Sequence, residues 1–204
     1  MMRLVNMNEE FGQLAADERV VKTARALQAN NIQAVIVENG QEAKEKVLEL
    51  IPAGAEIMCM SSVTLDAIGL SELDTVKKQL MAMDRATQGR EMRKLGSAPD
   101  WTVGSVQAVT EDGQVVVASN SGSQLPAYAY GAGRVIWVVG VQKIVANLDA
   151  ALKRINEYVL PLESERVKIA YGMDKSNVSK LLVINKEIAP DRITVILVKE
   201  KLGF

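Results

Sequence analysis

The stretch from Gly104 to Lys143, GSVQAVTEDGQVVVASNSGSQLPAYAYGAGRVIWVVGVQK, gathers most of the side chains that could do chemistry. Glu111 and Asp112 are adjacent carboxylates, suited to act as a general base or nucleophile. Ser119, Asn120, Ser121, Gly122 and Ser123 follow the apolar run Val115 to Ala118. They put hydroxyls and flexible backbone where a strand gives way to a helix, a place where α/β proteins bind anions. Ser61, Ser62 and Thr64 follow a second strand-like run, Ile57 to Met60, and could share that site with Lys143, just after Gly140. Each group also has a plain structural reading: an Asp-Gly turn, helix caps at both hydroxyl clusters, and a solvated surface lysine.

Two absences narrow the chemistry. The sequence has no histidine, which removes the commonest general base and the usual partner of a catalytic Ser or Cys. Catalysis is then left to carboxylates, Lys, Tyr or hydroxyls. Cys59 is the single cysteine, so no intramolecular disulfide or Cys-based cluster can form, and its place in Ile57-Met58-Cys59-Met60 predicts an inert core thiol. No structural metal and no resident cofactor are expected. The pair Gly131 and Gly133 precedes its strand and lacks a third glycine, so it reads as a helix-to-strand turn and not as a dinucleotide fingerprint.

The elements that must position these residues alternate. Apolar positions from Phe11 to Leu27 return at helical spacing, predicting a first helix over about 8–30. Ile32 to Val37 is a short strand. Ala43, Val47, Leu50 and Ile51 mark a second helix, stopped at Pro52-Ala53-Gly54. Ser71 and Asp74 resemble a capping pair for a helix through Leu80 and Met83. Val103 to Val109 and Gln114 to Ala118 read as strands joined by a hairpin at Asp112-Gly113. Ser123 is the expected cap of a short helix containing Pro126; Arg134 to Val139 is the next strand. A helix through Leu148, Leu152, Ile155 and Val159 is expected to end at Pro161, and Leu181 to Ile184 and Ile193 to Val198 are the last strands. This alternation predicts an α/β fold with an open, mainly parallel mixed sheet and helices on both faces.

At 204 residues and 48% apolar content, one domain spanning 1–204 is expected. Lys and Arg total 24 against 25 Asp and Glu, with no block of like charge, which argues against nucleic-acid and membrane-surface partners. The longest strongly apolar run, Val135 to Val139, is far short of a membrane span, and Glu9 and Glu10 do not suit a signal peptide, so a cytoplasmic protein is expected.

Several ordered segments resemble the LUD domain family of lactate-utilisation proteins. They are Ser61-Ser62-Val63-Thr64-Leu65, Ile68-Gly69-Leu70, Ala108 to Gly113, Tyr130 to Val135, Val138 to Val145, and the closing Ile193 to Phe204. The resemblance implies a fold similar to ribose-5-phosphate isomerase and CoA transferases. It also implies a role in using lactate or a related 2-hydroxy acid, with a small anionic metabolite as ligand and redox proteins as partners. The alternatives are an isomerase-like or transferase-like enzyme on a sugar phosphate or CoA ester, with Glu111 or Asp112 as base or nucleophile, and a metabolite-binding regulator without catalysis. The chain departs from the family pattern at Gln107 and in the 119–126 turn, which leaves the ligand open. It has no cysteine in Val167 to Lys180, where relatives are often cysteine-rich, so no metal is expected there. Nothing in the sequence decides between a monomer and a homo-oligomer.

Overall fold

Strands and helices alternate along the computed structural model, which describes residues 7–204. The strands are β1 (Gln33–Val37), β2 (Ile57–Cys59), β3 (Trp101–Gly104), β4 (Ala108–Thr110), β5 (Val115–Ser119), β6 (Arg134–Gly140), β7 (Ile144–Val145), β8 (Lys180–Ile184) and β9 (Ile193–Val198). The helices are α1 (Asp17–Ala29), α2 (Gly40–Leu50), α3 (Val63–Ala67), α4 (Thr75–Met81), α5 (Arg85–Ser97), α6 (Leu148–Arg154) and α7 (Leu160–Tyr171). β1, β9, β6, β3 and β2 form an all-parallel sheet in that order; β7, β4, β5 and β8 form a second, mixed sheet.

The alternation of side chains along β6 assigns the layers, because successive residues of a strand face opposite sides. Val135, Trp137 and Val139 face a core shared with Val20, Ala24 and Leu27 of α1 and Val109, Val115 and Val117 of the second sheet. Ile136 and Val138 face the other way, onto Ala43 and Val47 of α2 and Leu65 of α3. The outer face of the second sheet, through Ala108, Val116 and Val145, is covered by Ala151 and Ile155. A strand buried on both faces reads as a continuous apolar run, as Val135 to Val139 does.

The single mixed sheet expected from the sequence is thus two sheets, because the run from Val103 to Val109 is broken at 105–107. After Gly104 the chain leaves the parallel sheet. β6 leaves it alongside, through a 3-10 turn at Val141–Lys143. β4 and β7 then pair in parallel, with Val109 opposite Ile144 and Thr110 opposite Val145. Both chains cross between the sheets at one place, which sets Ser105 beside Lys143. The Asp112-Gly113 hairpin forms as expected, within the second sheet: β4 and β5 are antiparallel, and Gly113 has φ of 79°. A Cβ there would lie 2.6 Å from the Ala26 carbonyl carbon, so the turn can seat on α1 only as glycine.

Three local expectations are corrected. The first helix begins at Asp17, after a separate 3-10 turn at Glu9–Gly12. Pro161 does not end its helix: a π turn at Ile155–Val159 joins α6 to α7, which places the proline in the first turn of α7, where a missing N–H is tolerated. The Glu157 carbonyl, four residues before it, instead accepts the Asn8 N–H at 2.9 Å. Ser123 makes no helix cap; its N–H donates to Ser121 Oγ at 3.3 Å, and the segment that follows is a π turn at Ala127–Gly131.

Candidate functional site

A cavity of about 760 Å³ opens where β2, β3, β5 and β6 end. In open α/β sheets ligands bind beyond the carboxyl ends of the strands. Ser61, Ser62 and Thr64 enter its wall as the chain turns from β2 into α3, Ser105 and Gln107 as it leaves β3, Ser119, Asn120, Ser121 and Ser123 as it leaves β5, and Lys143 as it leaves β6. Segments separated by more than 80 residues in sequence therefore surround one volume.

Lys143 is 2% exposed. Its Nζ donates to Thr64 Oγ1 and to Ser105 Oγ, each at 3.0 Å. Both hydroxyls are available as acceptors because their own protons go elsewhere: Thr64 Oγ1 donates to the Leu202 carbonyl at 3.2 Å, and Ser105 Oγ to the Val138 carbonyl at 2.7 Å. Lys143 takes part in no ion pair among the described residues. Burial holds its pKa well below the ordinary lysine value, and the positive charge of nearby Arg154 lowers it further. Arg154 is itself fully buried. One of its nitrogens, Nη1, donates to the Gln107 carbonyl, its guanidinium lies 5.2 Å from the centre of the Tyr158 ring, and burial lowers its pKa to about 10. Its Nε and Nη2 meet no partner among the described residues.

The turn after β5 uses much of its own polarity. Ser119 Oγ accepts the Gly122 N–H at 2.8 Å and donates to Gln124 Oε1 at 2.9 Å, while Asn120 Oδ1 accepts from Ser179 Oγ at 3.1 Å. Gly122 does not line the cavity; its φ of 86° is what the turn requires. A Cβ would meet Lys180 Cδ at 2.6 Å, but that side chain can swing away, so strain in the backbone dominates. Gly122→Ala is expected to cost about 1 kcal/mol of stability in urea unfolding, with an unchanged slope against denaturant.

Glu111 and Asp112 lie apart from the cavity, at the β4–β5 turn. Glu111 accepts from Arg19 Nε at 2.7 Å and Lys22 Nζ at 2.9 Å, and these two partners hold its pKa below the ordinary carboxylate range. Asp112 presents its carbonyl to Asn30 Nδ2 at 2.9 Å. The pair thereby fastens the hairpin to α1. Helix ends contribute little at the cavity: α3 has five residues and Ser62 makes no side-chain cap.

Beyond Asp74, read from the sequence only as half of a capping pair with Ser71, sequence spacing does not single out several other lining groups. Asp74 caps α4 by accepting the Lys77 N–H at 2.6 Å, and burial raises its pKa. Lys77 and Arg85 also line the cavity and take part in no ion pair among the described residues. Arg166 lies on the wall too, bound through Nε and Nη2 to Glu163 at 2.7 Å. Cys59 is buried, as expected of a core thiol, at the edge of the cavity: its Sγ donates to the Leu70 carbonyl at 3.4 Å, and burial pushes its pKa up to about 12. Among the described residues no group of three or more His, Cys, Asp or Glu side chains is placed to hold a metal, and no helix is long and apolar enough to cross a membrane.

A family model described as the LUD domain matches residues 20–198. The chain is similar in fold to the crystal structure of a DUF162 family protein from Deinococcus radiodurans, with a TM-score of 0.53 and 13% identity over 91% of this chain and 99% of that one. No curated protein matches.

Proposed function

Since the chain belongs to the LUD domain family, we propose that it serves lactate utilisation by binding a small anionic metabolite, a 2-hydroxy acid or its oxidised counterpart, in the cavity beyond the strand ends. The observation that carries this reading is Lys143, buried on the cavity wall and bonded to hydroxyls without a carboxylate among its partners. Protein interiors accept a cationic side chain with a paired anion or hold it neutral: the charged form calls for an anion in the space beside it, and the neutral form offers a polar group there while Lys77 and Arg85 supply the positive charge. Lys77 and Arg85, on the same wall as Asp66 and Asp74, take part in no ion pair among the described residues and add positive charge that draws anions inward. Oxidation itself falls to redox proteins acting alongside, because a sequence with no histidine and one buried cysteine offers no ligand set for an iron–sulfur centre.

A thermal-shift series with lactate, pyruvate, ribose 5-phosphate and acetyl-CoA tests the reading. Lactate or pyruvate is expected to raise Tm. A ligand present at 100 times its Kd adds about 2.7 kcal/mol to the stability of the native state. The Lys77→Ala, Arg85→Ala double variant should need several-fold more ligand for the same shift. A shift with ribose 5-phosphate or acetyl-CoA alone would move the assignment to isomerase-like or transferase-like chemistry, and no shift with any of the four would overturn it.

A further inference from the structure

We infer that Lys143 is a carbonyl-reactive amine, and that the cavity takes a 2-oxo acid whose keto carbon forms an imine with Lys143 Nζ. The inference rests on the anion-binding reading above and goes beyond it by naming a covalent step. Its basis is a count of hydrogen-bonding capacity. A neutral primary amine has two N–H donors and one lone pair, whereas an ammonium has three donors. Around Nζ the structure supplies two acceptors, Thr64 Oγ1 and Ser105 Oγ, each with its single proton already given to a main-chain carbonyl. Those oxygens take both N–H groups of a neutral amine, and a third ammonium proton would meet no protein acceptor among the described residues. The remaining direction belongs to the lone pair, and Lys143 lines the cavity.

Two further features fit. No carboxylate pairs with Nζ among the described residues, so nothing nearby rewards the charged form. Burial and the Arg154 charge act in the same direction. An amine desolvated near another cation is the kind of lysine that attacks carbonyl carbons. In the step itself, the Nζ lone pair forms a C–N bond to the keto carbon as the C=O π pair moves onto oxygen. Nitrogen then gives up both of its protons to that oxygen, the oxygen leaves as water, and C=N remains. No oxidant or reductant is consumed.

The experiment treats the whole protein with pyruvate and sodium cyanoborohydride, which reduces the imine to a stable secondary amine, and locates the product by intact mass and peptide mapping. One reduced pyruvyl group per chain on Lys143 is expected, with none when lactate replaces pyruvate and none in Lys143→Arg. Mapping on the parent protein keeps the test independent of whether the variant folds. Modification of the exposed Lys78 or Lys153 to the same extent as Lys143 would overturn the proposal. So would an unmodified Lys143 under conditions where pyruvate raises Tm. In that last case the anion-binding reading survives while the imine does not, and a protein with neither a thermal shift nor an adduct loses both.

Discussion

Trp137→Ala is expected to remove about 3–5 kcal/mol of stability, the range for truncating a large buried aromatic side chain. That is a large share of the margin of an ordinary domain, so the variant should unfold at a much lower urea concentration, and calorimetry should show a depressed Tm. The magnitude follows from position. Trp137 is fully buried in β6, near the middle of the parallel sheet, with Gly104 opposite it in β3 and Val195 in β9. Its ring meets Tyr128 edge to face, with 5.2 Å between centroids and 81° between planes. Tyr128 fits because Gly104 has no side chain: a Cβ there would collide with its hydroxyl. Tyr128 in turn lines the cavity, so the hole left by Trp137 would let the cavity wall relax inward. Trp137→Phe is the control, since it keeps an aromatic ring against Tyr128 and should lose a fraction of that amount. An alanine variant as stable as the parent would mean that this layer can close over the gap.

Much of this architecture is legible in the sequence because local signals and tertiary packing agree. Val135 to Val139 is apolar on every residue and becomes a strand covered on both faces. Asp112-Gly113 demands a turn with positive φ and forms one. The discrepancies arise where the deciding contact is distant. Nothing between Val103 and Val109 lowers strand propensity enough to announce that the chain changes sheets at Ser105; the departure is fixed by β6, which exits beside it. Pro161 signals a stop, but one π turn shifts the helical register so that the ring falls where no N–H is needed. α5 carries no clear signal in the sequence, since it is polar on most faces and non-helical at Gln88.

The candidate site divides in the same way. Hydroxyl clusters after strands are visible as local composition, and they do converge on one cavity. Glu111 has the right residue type for chemistry, yet its two cations come from α1, about 90 residues earlier in the chain, and no local pattern foretells that pairing. Lys143 is the converse. In sequence it is a polar residue closing an apolar run, which normally means a surface lysine. Its burial depends on Thr64 and Ser105 from two other strand ends and on Leu202 and Val138, whose carbonyls occupy the hydroxyl protons.

That arrangement makes the stability of Lys143→Met a direct measure of the state of the amine. In the unfolded chain the lysine titrates near 10.5, whereas in the folded protein burial and Arg154 hold its pKa well below that value. Between the two pKa values the unfolded state binds more protons than the native one, so the stability of the parent rises with pH through this window and levels off above 10.5. The methionine variant lacks the linkage. It should therefore gain most over the parent near neutral pH, and the gain should shrink as pH approaches 10, by at most about 1.4 kcal/mol per pH unit for one proton. Thr64 and Ser105 lose a donor in the variant, at a cost of about 1 kcal/mol for each hydrogen bond, but that cost is the same at every pH and shifts the curve without tilting it. Urea unfolding of both proteins from pH 7 to pH 10 reads the slope of the difference. Other titrating groups, Cys59 among them, are common to both proteins and cancel. A difference that falls with pH supports a neutral amine at the cavity wall; a difference independent of pH would mean that Lys143 keeps its proton on folding, and that the cavity holds a buried cation instead of a nucleophile.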